Sequence, residues 1–145
     1  RIVPVLLNWI RRRHGMTWHG NTDEDMNLLY RLAEGRPAVC RQIVESDGVD
    51  LAFRLALNSA DCFRCGSLSV LAVLANKESS VHIHLCRHDY IQHLFGLLMR
   101  SPKEFRVRFK IAQQYLAGNI ISHLVNSSYW KDCGIEKKWA AQQLV

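Results

Sequence analysis

Apolar residues in this chain recur at three- and four-residue spacing, the period of a helix with one buried face. Arg36-Pro37 opens a short helix, with proline at a first-turn position where its missing N–H costs nothing, and Val39, Ile43 and Val44 form the apolar face. Ser46-Asp47-Gly48 breaks it. Val49, Leu51, Ala52, Leu55 and Ala56 make a second short helix that Asn58-Ser59 closes, and a longer helix over 60–77 carries Leu68, Leu71, Ala72 and Ala75 on one face. The short, medium, long order returns over 80–87, 89–99 and 101–125. Helices over 3–13 and 23–34 precede these units and one over 129–144 follows. Gly15 to Thr22 reads as a loop, with Thr22 as N-cap ahead of Asp23, Glu24 and Asp25, whose charges suit a helix N-terminus. No turn-bounded alternating run suggests a strand, so the fold class is all-α.

The order is also a repeat. At a shift of 42 residues Asp47 falls on Asp89, Phe53 on Phe95, Leu55 on Leu97 and Ser59 on Ser101. A period near 42 indicates an armadillo or HEAT array rather than tetratricopeptide or ankyrin repeats. The expected architecture is an armadillo-like helical-repeat solenoid filling 1–145 as one domain: part of a repeat over 1–35, repeats over 36–79 and 80–126, and the start of another over 127–145.

Composition narrows the classes that remain. With 48% apolar and 22% charged residues, 8 Gly and 3 Pro, the chain is neither disordered nor collagenous, and 145 residues are too few for a large multidomain enzyme. The net charge of +6 is unevenly divided, +1 over residues 1–72 and +5 over 73–145. The longest clean apolar run, 70–75, is far too short for a membrane helix, so no membrane partner is expected. Five cysteines spread through apolar segments fit buried thiols in a reducing compartment, which predicts an intracellular protein, cytoplasmic or nuclear. A first residue Arg1 and a last apolar pair Leu144-Val145 suggest a piece of a longer chain.

A family resemblance emerges at the long helices. Leu29-Tyr30-Arg31-Leu32-Ala33-Glu34 followed by Arg36-Pro37-Ala38-Val39-Cys40 resembles a segment of zyg-eleven and zer-one substrate receptors. That segment reads Leu-Trp-Asn-Leu-Thr-Asp, then Pro and Cys at similar offsets. Ser69 to Glu78 looks like the family's next long helix, which ends in Glu, and Tyr115-Leu116-Ala117-Gly118-Asn119-Ile120-Ile121-Ser122-His123-Leu124 with Trp130 is similar to the third. Trp139-Ala140-Ala141 matches a later Trp-Ala-Ala. The resemblance implies the armadillo-like C-terminal domain of a cullin-two ubiquitin ligase receptor. Such a domain binds proteins whose exposed N-terminal residue is glycine, while leucine-rich repeats and the segments that dock elongin and cullin-two lie upstream.

That role calls for a non-catalytic recognition site. An N-terminal ammonium has three N–H donors, which carboxylates and amide oxygens accept. Glu34 and Glu78 end adjacent long helices and correspond to the family's Asp and Glu, so the resemblance assigns both to the ammonium. Tyr30, one turn before Glu34, stands at the family's Trp as a pocket wall. Arg31 and Ala75 stand where asparagines are expected, with Asn76 one position late, and Asn119 sits near the asparagine position of armadillo long helices. An alternative is a generic armadillo adaptor that grips an extended peptide through asparagines such as Asn119, with no requirement for a free N-terminus.

Four other constellations stand out. Cys62 and Cys65 with His82, His84, Cys86 and His88 have zinc-like spacings, yet lie in helical stretches that turn them to different faces, so no metal or other cofactor is expected. Cys40 and His123 lack an identifiable oxyanion loop or orienting partner, so no enzyme is expected. Arg100, Lys103, Arg106, Arg108 and Lys110 interleave with Phe105 and Phe109, a pattern of some nucleic-acid surfaces but better explained as the solvated back of a core face, which leaves nucleic acid the weakest partner reading. Arg11-Arg12-Arg13 suits the negative end of its own helix.

Overall fold

The computed structural model describes residues 2–14, 22–58, 65–98 and 107–133. Among them the chain is all-α, with eight α-helices: α1 (Ile2–His14), α2 (Thr22–Ala33), α3 (Pro37–Glu45), α4 (Gly48–Asn58), α5 (Cys65–Lys77), α6 (His82–Leu85), α7 (His88–Leu98) and α8 (Val107–Val125). Two 3-10 turns, Ser79–Val81 and Trp130–Cys133, complete the described elements. The helices expected over 60–77 and 101–125 are present from Cys65 and Val107 onward, their first turns lying outside the described residues. The one expected over 129–144 opens as the 3-10 turn at Trp130, and 134–145 lie outside as well. So does the Gly15 to Thr22 loop over 15–21.

Each helix turns its periodic apolar residues inward. Val3, Leu7 and Ile10 of α1 are fully buried, as are Met26, Leu29 and Ala33 of α2, in both cases within about one face of a 3.6-residue period. Helix α5 differs: Leu68, Val70, Leu71 and Leu74 all lose contact with water because α2, α4 and α8 pack around it. Small residues Ser67, Ala72 and Ala75 along α5 let its neighbours approach closely. Helix α8 closes on it with Ala117, Ile120, Ile121 and Leu124, and Trp130 beyond the helix end is the largest fully buried side chain among the described residues. Burying one such leucine contributes about 1.5–3 kcal/mol.

The ends of these helices follow from local chemistry. Pro37 occupies the first turn of α3, as its sequence predicts. Helix α2 stops because Gly35 takes a left-handed φ of 73°, and the Arg36 guanidinium then donates to the free carbonyls of Arg31 (3.1 Å) and Leu32 (3.3 Å). The break at Ser46-Asp47-Gly48 is narrower than expected: Asp47 alone is left-handed, at φ 59°, and Gly48 already begins α4. Arg11 reaches across from α1 and donates to the Ser46 carbonyl at 2.6 Å. It thus caps α3, which the triple-arginine pattern alone did not indicate; within α1 it donates to the Asn8 side-chain oxygen at 3.2 Å.

Helix α4 meets α7 at an aromatic junction. The Phe53 and Tyr90 rings stack 3.8 Å apart, the Tyr90 hydroxyl donates to Asp50 at 2.7 Å, and the Arg87 guanidinium lies 4.6 Å above the Tyr90 ring. Burial in α4 recurs in α7 at the expected shift: Val49, Ala52, Phe53 and Leu55 correspond to Ile91, Leu94, Phe95 and Leu97, all buried. No helix among the described residues is long and apolar enough to cross a membrane.

Two glycines make opposite predictions. A Cβ on Gly48 would meet Ile43 Cγ2 at 2.5 Å and the Ile43 carbonyl oxygen at 2.8 Å, so Gly48→Ala forces α3 and α4 apart and should cost about 1–3 kcal/mol, the scale of overpacking. Gly35 has open space around it, so Gly35→Ala bears only the left-handed backbone cost of about 1–2 kcal/mol. Adding Gly48→Ala to an Ile43→Ala background, which lacks the clashing Cγ2, should recover part of its loss, while Gly35→Ala should be indifferent to Ile43. Urea unfolding of the three single and two double variants measures both.

Candidate functional site

Three long helices frame an open cavity of about 250 Å³. Helix α2 and its end contribute Tyr30, Glu34 and Gly35; α5 contributes Ser69, Ala72, Val73, Asn76 and Lys77; α8 contributes Tyr115, Leu116 and Asn119. The α5 positions are one stripe at three- and four-residue steps, opposite the face that carries Leu71 and Leu74 into the core. The stripe can stay half wet because α2 and α8 flank α5 on the two sides and leave it open between them.

The lining positions are related by a register of 43 residues. Tyr30 corresponds to Val73 and Val73 to Leu116; Ala72 corresponds to Tyr115, and Asn76 to Asn119. Lys77 lies 43 residues beyond Glu34, and both line the cavity.

Four of the five residues expected at the site therefore come together: Tyr30, Glu34, Asn76 and Asn119. The Tyr30 hydroxyl donates to Glu34 Oε1 at 3.3 Å, across one helical turn. Partial burial, and then the Glu34 carboxylate beside it, push the Tyr30 phenol above its ordinary 10.0. It therefore stays a neutral donor throughout the physiological range. Asn76 faces the cavity whereas Ala75 is buried, so the amide is on the functional face at its later position. Neither amide side chain is engaged by another described residue, which leaves their carbonyl oxygens and NH₂ groups available to a ligand. Arg31, whose charge would oppose an ammonium, is exposed and not part of the lining.

Glu78 does not line the cavity. It lies two residues past Asn76, about 200° round the helix, and takes an extended φ/ψ of −127°/97° as the chain leaves α5. There its carboxylate accepts the Ser80 hydroxyl at 3.0 Å and lies near Cys40. The spacing of 44 residues between Glu34 and Glu78 is one more than the 43 that separates the lining pair Asn76 and Asn119.

Lys77, Ser69 and Tyr115 line the site without having been expected there. Tyr115 is 73% exposed, a large apolar ring held out at the cavity rim. Its signal in the sequence was the 43-residue register, in which it matches Ala72.

The other constellations resolve differently. Cys40 is buried with its thiol directed at the Ala33 carbonyl (3.4 Å), and His82 Nε2 is 2.7 Å from the Ala75 carbonyl. Among the described residues no three His, Cys, Asp or Glu side chains are grouped to hold a metal ion; Cys62 and the side chain of His88 lie outside them. The basic side chains from Arg100 to Lys110 also lie outside the described residues. Neither a protein-family model nor any curated protein matches the chain.

Burial, and then the Glu78 carboxylate, raise the Cys40 thiol above its ordinary 9.0. Because the folded thiol keeps its proton to higher pH than the unfolded one, this contribution to stability is whole below pH 9 and is lost as pH climbs through the folded value. Glu78→Gln removes the nearby negative charge and should lower the Cys40 value. Iodoacetamide labelling across pH 7–10, read at Cys40 by mass spectrometry, should shift to lower pH in the variant; an unchanged profile would place Glu78 away from the thiol.

Proposed function

We propose that the chain is a non-catalytic peptide-recognition domain built of armadillo-like repeats, which receives the free N-terminus of a protein in the α2/α5/α8 cavity. One observation carries the reading: a carboxylate, two disengaged amides and two tyrosines converge on one open depression from three successive long helices. The repeat reading draws support from the burial shared by α4 and α7 and from the 43-residue register of the lining.

The chemistry suits an ammonium on a flexible chain. Glu34 supplies the counter-charge and a strong acceptor, and Tyr30, hydrogen-bonded to it, holds that carboxylate in place. Asn76 and Asn119 each offer an acceptor and a donor, the pair a peptide backbone requires. Tyr30 and Tyr115 supply aromatic surface on which a cation or a backbone can rest. The resemblance to zyg-eleven and zer-one receptors adds the context of a cullin-two and elongin ubiquitin ligase, with glycine as the preferred first residue. The alternative reading, an adaptor for extended peptides, is favoured by the Asn76 and Asn119 pair alone and needs no role for Glu34.

Calorimetric titration with a Gly-first peptide, its acetylated form and an Ala-first form separates these. Preference for the free Gly-first peptide is expected; equal affinity for free and acetylated forms would abandon the N-terminal reading in favour of the adaptor. Glu34→Gln should weaken the free peptide by about 1–3 kcal/mol, the scale of a hydrogen bond to a charged group. Glu78→Gln, outside the cavity, should leave it within experimental error.

A further inference from the structure

Lys77 is the residue in the cavity that N-terminal recognition does not use. It lines the same depression as Glu34, it is exposed, and no ion pair or hydrogen bond joins the two among the described residues. It lies one position from Asn76 on the lining stripe of α5. A site for an ammonium alone would be weakened by a cation on its wall, since like charges within a few ångströms in partly dry surroundings repel by more than a surface pair does. A ligand with charges of both signs removes that conflict.

We propose that the cavity selects peptides whose free N-terminus is followed, at the second or third position, by an acidic residue, with Lys77 receiving the carboxylate. The proposal rests on the N-terminal reading of the site and adds its sequence preference. Packed helices lie about 8–10 Å apart, and an extended chain advances about 3.3–3.6 Å per residue. That span is two to three such steps, and a lysine side chain reaches back several ångströms, so a peptide anchored at Glu34 and running from α2 toward α5 brings its second or third side chain within reach of Lys77. The disengaged amides of Asn76 and Asn119 lie one residue from Lys77 in the same register and flank that path. Of the described cations on the lining, Lys77 is the one present, so the preference should follow this residue alone.

A peptide panel tests it with the whole chain. Gly-first peptides carry one Asp at position 2, 3 or 6, each beside its Asn counterpart, and each is measured free and acetylated. Asp at position 2 or 3 should tighten the free peptides about 3–10-fold over Asn at low salt, the advantage should shrink as salt screens it, and position 6 should show none. Lys77→Gln should erase the difference while the free peptide stays preferred over the acetylated one by at least the parent margin, and Lys77→Glu should transfer the preference to Lys at the same positions. Equal affinity for Asp and Asn peptides, with the acetylation contrast intact, would overturn this inference while leaving N-terminal binding standing. An Asp preference that survives Lys77→Gln would overturn it too, and loss of the acetylation contrast would overturn both readings.

Discussion

Helix α5 is surrounded: α2, α4 and α8 pack against it, and its leucines and small residues are withdrawn from water on most of its circumference. A segment of alternating Leu, Val, Ala and Ser has little reason to hold one orientation as an isolated helix, since it lacks a strongly polar side to mark the outside. Its neighbours fix its rotation. That rotation decides which of Asn76, Lys77 and Glu78 faces the cavity, so what the cavity displays depends on the same contacts that stabilise the core.

Much of the fold was legible from spacing. Helix order, the break at Ser46-Asp47-Gly48, the role of Pro37 and the correspondence of α4 with α7 all rest on local backbone chemistry or on apolar periodicity, and both survive in a single sequence. Tertiary capping did not show: nothing near Arg11 in the chain reveals that it reaches the Ser46 carbonyl thirty-five residues away.

The site was legible in its parts and not in its register. Tyr30 with Glu34 follows from a one-turn spacing within a helix, which tolerates little error. Pairing Glu34 with Glu78 instead required comparing two helices, and a period known only to within a residue or two leaves each side chain undetermined by about 100° per residue. Within α5 itself the information was present: a residue on the stripe of Ser69, Ala72 and Asn76 cannot share a face with one two positions later. Matching polar residues by type alone obscures it.

The common register of the lining has a bearing on how such a protein tolerates change. Residues gained or lost between helices leave every lining side chain on its own helical face, so the connecting segments can vary in length without rewriting what the cavity displays. A single residue inserted inside α5 after Ser69 would instead swing Asn76 and Lys77 round together toward buried neighbours and bring core leucines toward solvent. Divergence of binding preference in a molecule built this way can proceed by point substitution at the lining, one helix at a time, whereas length changes are confined to the seams.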